Sequence, residues 1–190
     1  MSKADYSDEE MARIHLAPVT PLNNTIDLRP YDPAWPVLFE GEAAKIRAAI
    51  GETAVAIRHV GSTSVPGLSA KPLIDIVLEV PDSADEVAYV PALEAAGYRL
   101  HVREPDWFEH RLLKGAAPAV NMHVFAAACP EIDRMVAFRD WLRAHDDDRR
   151  LYEATKQALA ARVWRHTQDY ADAKGEVVEA IIARALAARA

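Results

Sequence analysis

The sequence predicts an α+β fold in which a mixed β-sheet is flanked by helices and followed by a helical C-terminal segment. Three observations lead to this prediction. Short apolar runs typical of strands recur between residues 26 and 127. A helix with clear start and stop signals interrupts them. From about Glu131 onward the apolar residues recur with helical spacing to the end of the chain.

The length of 190 residues suits one compact domain with a sizeable core. We expect a partly ordered arm over residues 1–22, because this stretch has no clean period and is rich in acidic residues and proline. A single domain is expected over 23–190. Within it, residues 23–128 form the α+β core and residues 129–190 the helical segment.

The individual elements follow from periodicity and from flanking residues. A helix is predicted between Pro33, which suits the first helical position after the capping residue Asp32, and Gly51, which ends it. A capping box of Ser83 and Glu86 predicts a second helix before Gly97. The predicted strands span residues 26–29, 54–60, 73–80, 98–102, 107–114 and 119–127.

Composition and charge exclude several classes of protein. Charged residues make up 27% of the chain and apolar residues 51%, which excludes disorder throughout. No apolar run is long enough for a membrane span, and the start MSKADYSDEE has no apolar signal core. The net charge of −7 argues against nonspecific binding to a nucleic-acid backbone, although an acidic protein can still carry a local basic pocket. One cysteine, Cys129, excludes an internal disulfide, and we expect a cytoplasmic protein.

The loop between the second and third predicted strands, GSTSVPGLSAKP, carries the groups that bind phosphate. Glycine allows a ligand to approach the main chain, and hydroxyl and backbone N–H groups form a cradle for phosphate oxygens. A lysine in the same loop adds a positive charge. The candidate phosphate-binding residues are Gly61, Ser62, Thr63, Ser64 and Lys71.

Asp75 follows this loop within an apolar strand. A carboxylate among apolar residues is unfavourable unless it binds a cation or accepts hydrogen bonds. A phosphate cradle next to a strand carboxylate is the arrangement that Mg²⁺-dependent phosphoryl or nucleotidyl transfer needs. An ordinary loop with Asp75 bonded to a neighbouring backbone group explains the same residue types, so the residues alone leave both alternatives open.

Further candidates lie outside this loop. His123, on a strand, could reach Asp75 from a neighbouring strand as a metal ligand or a general base. His59 precedes the Gly–Ser turn and could orient it. Glu109 could supply a second carboxylate, and Arg111 could bind a phosphate through two N–H groups. For each of them an ordinary core or surface role is the alternative.

Lys156 lies on the predicted helical segment, four residues after Tyr152 and therefore on the same helix face. A lysine there could reach the triphosphate of a nucleotide, although a solvated helical lysine is the common alternative. By contrast, Arg139, Asp140 and Arg143 are predicted to form ion pairs on a helix surface.

The motif HVGSTSVPGLSAKPLIDI, together with RPYDPAWPVLFEGE upstream, closely resembles the GrpB family, a nucleotidyltransferase-like family. The resemblance continues through AAGY at 95–98, NMHVF at 121–125, FRDWLR at 138–143 and LYEATK at 151–156. Some members of this family are fused to dephospho-coenzyme A kinase, but no kinase P-loop occurs in this sequence. The resemblance covers about residues 26–180 and implies a nucleotidyltransferase-like sheet flanked by helices.

This family resembles the polymerase-β-type nucleotidyltransferases, whose signature is a Gly–Ser turn followed by a strand with two alternate carboxylates. Gly61 and Ser62 match the turn, and Asp75 matches the first carboxylate. The second position is Val77. Glu79 shares the face of Asp75 but lies about 13 Å along the strand, too far to replace a carboxylate at residue 77 on the same metal.

The resemblance implies a nucleotidyltransferase that binds a nucleoside triphosphate with Mg²⁺ and transfers a nucleotidyl or phosphoryl group to a small acceptor. Asp75 and His123 are the expected metal ligands, and Asp75, His123 and Glu109 the expected catalytic residues. Because of Val77, a catalytically silent nucleotide- or coenzyme A-binding domain, or a protein-interaction module, is the alternative. A transferase similar to the aminoglycoside-modifying enzymes is a third candidate that rests on fold analogy alone.

Overall fold

The computed structural model describes residues 13–17 and 21–189. A five-stranded mixed sheet forms the centre, with the strand order β1-β2-β5-β4-β3. Strands β2 and β5 are parallel, and the other neighbouring pairs are antiparallel. This confirms the predicted α+β fold. The strands are β1 (Ala56–Val60), β2 (Ile74–Val80), β3 (Arg99–Glu104), β4 (His110–Ala116) and β5 (Ala119–Ala126).

Two helices cover one face of the sheet. Helix α1 (Ala34–Ile50) begins where predicted, and Asp32 Oδ1 accepts a hydrogen bond from the Ala34 backbone N–H at 2.8 Å. Helix α2 (Val90–Ala95) is shorter than predicted. Side chains from both helices, including Ile46 and Leu93, form the main core with alternate residues of β2. Because strand side chains alternate, Asp75 and Val77 point to the opposite face.

The C-terminal helices lie on that opposite face. They are α3 (Pro130–Ala144), α4 (Asp146–Ala160), α5 (Thr167–Asp172) and α6 (Gly175–Ala187). Ile132 of α3 packs on Val60, Val77 and Phe125 of the sheet. The loop after β1 packs through Leu68 on α4 and α6. None of the described helices has the length and apolar character needed to cross a membrane.

The predicted strand over residues 26–29 is wrong. Its backbone makes an isolated bridge between Arg29 and Ala70 and a hydrogen bond from Ile26 N–H to Ala160 O. These partners come from a loop and from a helix end, so the segment joins no sheet. Of the predicted arm, residues 1–12 and 18–20 lie outside the described residues, and His15 forms a bridge with Val102.

The predicted capping box is also wrong. Residues Glu86–Ala88 form a 3₁₀ turn, and α2 starts only after it. The Glu86 carboxylate accepts hydrogen bonds from Arg103 and Arg111 at 2.6 Å, so it does not reach back to cap a helix. The Ser83 hydroxyl is buried and has no hydrogen-bond partner among the described residues.

Candidate functional site

A polar cavity of about 170 Å³ lies where the loop after β1 meets the first residues of β2 and β5. The C-terminal helices close its other side. Parallel pairing of β2 with β5 places Asp75 beside Asn121, so both side chains enter the same cavity. The polar and charged side chains that line it include Ser62, Lys71, Asp75, Asn121, Lys156 and Lys174.

Asp75 is the one carboxylate among the described residues that line this cavity. Asn121 Nδ2 donates a hydrogen bond to Asp75 Oδ1 at 3.3 Å. Burial raises the pKa of Asp75 to about 6, while the positive charges of Lys71 and Lys174 act in the opposite direction. A carboxyl group with this pKa exchanges a proton near neutral pH, which is a property of many functional sites.

Gly61 brings the turn into direct contact with this carboxylate. Its backbone has φ +66° and ψ −174°, a conformation that is essentially restricted to glycine. A β-carbon at this position would lie 2.3 Å from Asp75 Oδ2. The Gly–Ser turn therefore depends on glycine for its conformation and for its close approach to Asp75.

Two hydroxyls of the turn are used internally. Ser64 Oγ donates to Gly61 O at 2.6 Å, and Thr63 Oγ1 donates to Leu73 O at 3.1 Å. His59 Nε2 lies 3.0 Å from Thr63 Oγ1, and its ring stacks on Phe39 with centroids 4.7 Å apart. The side chains of His59, Thr63 and Ser64 fix the shape of the turn. Ser62, by contrast, lines the cavity.

His59 lies outside the cavity around Asp75. Burial, with the nearby charges of Arg143 and Arg139 as smaller causes, lowers the pKa of His59 to about 4. The ring is therefore neutral at neutral pH. Because Thr63 Oγ1 donates its proton to Leu73 O, His59 Nε2–H donates to Thr63 Oγ1.

Two arginines of helix α3 donate hydrogen bonds to backbone carbonyls at the Gly–Ser turn and just before it. Arg139 Nη1 donates to His59 O at 2.9 Å. Arg143 donates to Ser64 O from Nε at 3.0 Å and from Nη2 at 2.7 Å. These residues were predicted to form surface ion pairs, and Arg139 does contact Asp140 at 2.8 Å. Their bonds to backbone carbonyls were missed because sequence spacing within a helix does not reveal contacts 79 or 80 residues away.

Arg143→Gln is expected to lower the free energy of unfolding by roughly 1.5–3 kcal/mol, because the charged donor to Ser64 O is lost. Chemical denaturation measures this. The matched control is Arg150→Gln, whose ion pair with Asp147 joins two exposed side chains and contributes roughly 0–1 kcal/mol. Equal losses in the two variants would show that Arg143 does not hold the turn.

Three lysines from different parts of the chain converge on the cavity: Lys71 from the loop, Lys156 from α4 and Lys174 from the start of α6. Burial lowers the pKa of Lys156 to about 7 and that of Lys174 to about 8. Burial also lowers the pKa of Lys71, against the opposing effect of Asp75. The cavity therefore holds up to three positive charges around one carboxylate.

Lys174 was missed by the sequence analysis. It directly precedes α6, and its Nζ lies 4.2 Å from the ring centroid of Tyr170. Lys156 and Tyr152 on α4 have the same four-residue spacing, and Lys156 Nζ lies 4.8 Å from the centroid of the Tyr152 ring. A second tyrosine–lysine pair four residues apart could have marked Lys174.

The structure does not bring His123 into this cavity, although the residue is on the same sheet face as Asp75. Its Nδ1 lies 3.1 Å from His110 Nε2, and His110 Nδ1 lies 2.6 Å from a carboxylate oxygen of Glu104. His110 and Glu104 are almost fully buried. His123 therefore belongs to a separate chain of hydrogen bonds on the neighbouring strands.

Glu109 and Arg111 also lie outside the cavity. Glu109 has a left-handed backbone with φ +50° in the connection before β4, and its carboxylate contacts Arg111 at 3.1 Å. The Arg111 guanidinium is buried against Glu86 at 2.6 Å. Arg111 is thus neutralised by two carboxylates, and Glu109 does not supply the second carboxylate beside Asp75.

Val77 and Glu79 are the next residues of β2 on the same face as Asp75. Val77 is fully buried against Val60 and Phe125, and the Glu79 carboxylate contacts Arg58 at 2.6 Å. Within the part of the chain that the structure describes, no three His, Cys, Asp or Glu side chains are grouped as a metal site would need. The residues present fit a cation that brings further oxygen ligands with it, since Asp75 offers one carboxylate.

The sheet and the cavity define an α+β protein with a basic site around one partly buried strand carboxylate. The chain belongs to the GrpB family, because the model of the GrpB protein family matches residues 25–184. A UPF0157 protein of Halalkalibacterium halodurans is 54% identical over 179 residues, which are 94% of this chain and 92% of that protein.

Two further proteins are similar to this chain. The crystal structure of conserved protein GrpB from Enterococcus faecalis matches with a TM-score of 0.70 and 28% identity, over 85% of this chain and 98% of that chain. A dephospho-CoA kinase of Mycolicibacterium paratuberculosis is 31% identical over 163 residues, which are 72% of this chain and 40% of that kinase.

Proposed function

We propose that this protein binds a nucleoside triphosphate with Mg²⁺ and transfers a nucleotidyl or phosphoryl group to a small acceptor. The observation that carries the proposal is the convergence of Lys71, Lys156 and Lys174 with the Ser62 hydroxyl beside Asp75. Polyphosphate is the ligand that such a set complements, because it offers several negative oxygens to several donors.

Electrostatics supports an anionic ligand. Three ammonium groups share a cavity with one carboxylate, and their lowered pKa values report the cost of holding positive charge there. A bound phosphate would offset that cost and raise these pKa values again. The cavity of about 170 Å³ suits phosphate groups, so the remainder of a nucleotide would lie outside it.

Mg²⁺ fits this site as part of a metal–nucleotide complex. Proteins commonly hold Mg²⁺ through one or two carboxylates together with substrate phosphates and water. Asp75 is the residue that would bind it, and the ion would supply charge neutralisation at the phosphates when bound. His123 was expected as a second ligand, but it lies outside the cavity and takes no part in this proposal.

Binding without transfer is the second candidate, and Val77 is the observation that favours it. Two-metal catalysis needs carboxylates that bridge two ions, and an apolar, buried side chain holds the position where the second is expected. The likeness to a dephospho-CoA kinase makes dephospho-coenzyme A and coenzyme A useful probes for this candidate.

A thermal-shift panel tests binding and names the donor. The purified chain is heated with each ribonucleoside triphosphate, dephospho-coenzyme A or coenzyme A, in Mg²⁺ and in EDTA. A ligand at 100 times its Kd adds about 2.7 kcal/mol, which raises the Tm of a chain of this size by roughly 5–10 °C.

We expect a Mg²⁺-dependent shift with at least one triphosphate, and we expect Asp75→Ala to abolish the Mg²⁺-dependent part. Transfer of an α- or γ-label from that triphosphate to an acceptor then separates the two candidates. A panel with no shift for any phosphate ligand would contradict both.

A further inference from the structure

Ser62 and Lys156 form a close pair at the wall of the cavity. Lys156 Nζ lies 3.1 Å from Ser62 Oγ, although the two residues are 94 positions apart in the chain. Lys156 is 2% exposed, whereas Ser62 is only partly buried and lines the cavity. Both side chains line the cavity, so the Ser62 hydroxyl and the Lys156 amine lie at the space where a ligand would bind.

The amine of Lys156 can bond to Ser62 and to a backbone carbonyl at the same time. Its Nζ donates a hydrogen bond to the backbone carbonyl of Ser69. A neutral amine has two N–H donors and one lone pair, so it can donate to Ser69 O and accept the Ser62 hydroxyl proton at the same time. The charged ammonium instead donates to both oxygens.

Both protonation states of this lysine are accessible near neutral pH, because burial lowers its pKa to about 7. Lys174 also lowers this pKa, and Glu153 opposes it. The phenol of Tyr152, one turn earlier on α4, lies beside the same pair. Burial raises the pKa of Tyr152, and its hydrogen bond with Ser62 acts in the opposite direction. The remaining titratable groups of the cavity are Lys71, Asp75 and Tyr170.

We propose that Ser62 is a nucleophile and Lys156 its general base, an inference that rests on the proposed function. Ser62 Oγ attacks the α-phosphorus of a nucleoside triphosphate, and a bond forms between them. The bond from the α-phosphorus to the bridging oxygen breaks, pyrophosphate leaves, and the Ser62 proton passes to Lys156 Nζ.

The second half-reaction returns the enzyme to its starting state. An acceptor hydroxyl or amine attacks the Ser62-linked phosphorus and releases its own proton to solvent, the Ser62 oxygen leaves, and the Lys156 ammonium gives its proton back to that oxygen. Covalent catalysis divides one difficult transfer into two easier steps. This mechanism explains how transfer proceeds with a single strand carboxylate and Val77 at the second position.

The covalent adduct between Ser62 and the nucleotidyl group can be tested without knowledge of the acceptor. The full chain is incubated with Mg²⁺ and the triphosphate chosen by the thermal-shift panel, quenched in acid, and analysed by intact mass and peptide mapping. We expect one added nucleotidyl group on Ser62, stable to acid as a phosphodiester is. Ser62→Ala should form no adduct, even at a triphosphate concentration that saturates it in the thermal-shift assay. Ser69→Ala, which keeps the carbonyl that Lys156 contacts, should still form it.

The pH dependence of the rate of adduct formation is a second test. The rate should rise with pH with a midpoint above pH 7, because the neutral fraction of Lys156 grows with pH and the bound triphosphate raises the pKa of Lys156 from its value of about 7 in the free protein. Lys156→Arg should lose the adduct, since arginine stays protonated.

Triphosphate binding without an adduct on Ser62 would overturn this inference and leave the binding part of the proposed function standing. An acid-labile adduct on a lysine, or a phosphoryl group on Ser62, would also overturn it. A protein that neither binds a triphosphate nor forms an adduct would overturn the proposed function and this inference together.

Discussion

Gly61→Ala is expected to lower the free energy of unfolding and to open the candidate site. The loss of stability should be larger than for alanine at any other glycine among the described residues. Two causes act together. The backbone conformation at Gly61 is strained for any residue with a β-carbon, at about 1–3 kcal/mol. The new methyl group would also lie 2.3 Å from Asp75 Oδ2 and 2.9 Å from Asp75 Cβ, and overpacking of this kind costs about 1–3 kcal/mol more.

Chemical denaturation measures the loss, and Gly41→Ala is its matched control. Gly41 is on α1, and a β-carbon there would have no neighbouring atom within 4 Å. Alanine within a helix is favoured over glycine, so this control should gain roughly 0.5–1 kcal/mol. A Gly61→Ala protein as stable as the wild type would show that the turn does not press against Asp75.

Asp75→Asn is expected to stabilise the free protein at pH 8 while it removes Mg²⁺-dependent ligand binding. The pKa of Asp75 is about 6 in the folded chain against an ordinary value of 3.8. Between these values the folded state holds more protons than the unfolded state, so stability falls as pH rises from about 4 to 6. At pH 8 the ionised carboxylate therefore costs roughly 2–3 kcal/mol, a cost that asparagine does not have.

Denaturation of wild type and variant at pH 4 and pH 8 tests this, with Asp106→Asn as the control. The Asp106 side chain is 81% exposed and pairs with Arg13 on the surface, so its removal should change stability by roughly 0–1 kcal/mol at either pH. The difference between Asp75→Asn and wild type should be small at pH 4 and large at pH 8. A difference that does not depend on pH would contradict the burial of an ionised carboxylate.

Local sequence patterns were enough to predict the strands of the sheet, helix α1 and part of the candidate site. The apolar runs predicted the five strands of the sheet, and Pro33 and Gly51 marked the ends of α1 within a residue. The Gly–Ser turn and Asp75 are close in sequence, and the structure places both in one cavity. Their proximity follows from the antiparallel pairing of β1 with β2, which places Val60 opposite Asp75 and therefore brings Gly61 next to it.

Contacts between distant elements were not predictable in the same way. Lys174 reaches the cavity from the start of α6, and Arg143 reaches the turn from α3, through the packing of helices onto the sheet. His123 was assigned to the site from the family resemblance, from its residue type and from its strand. The structure gives it His110 as a neighbour, because β4 pairs with the other edge of β5.

The central claim is that the lysine-lined cavity binds the phosphates of a nucleotide. Calorimetric titration of the wild type and of Lys174→Met with the Mg²⁺ triphosphate from the thermal-shift panel tests it most directly. Lys45→Met is the matched control, since Lys45 also lies over a tyrosine ring, at 4.4 Å from the Tyr98 centroid, but on α1.

We predict that Lys174→Met raises the Kd by roughly 10- to 100-fold, the loss expected for one charge-assisted contact, and that Lys45→Met leaves it unchanged. Equal Kd values for the wild type and Lys174→Met would contradict the claim and place the phosphates outside this cavity.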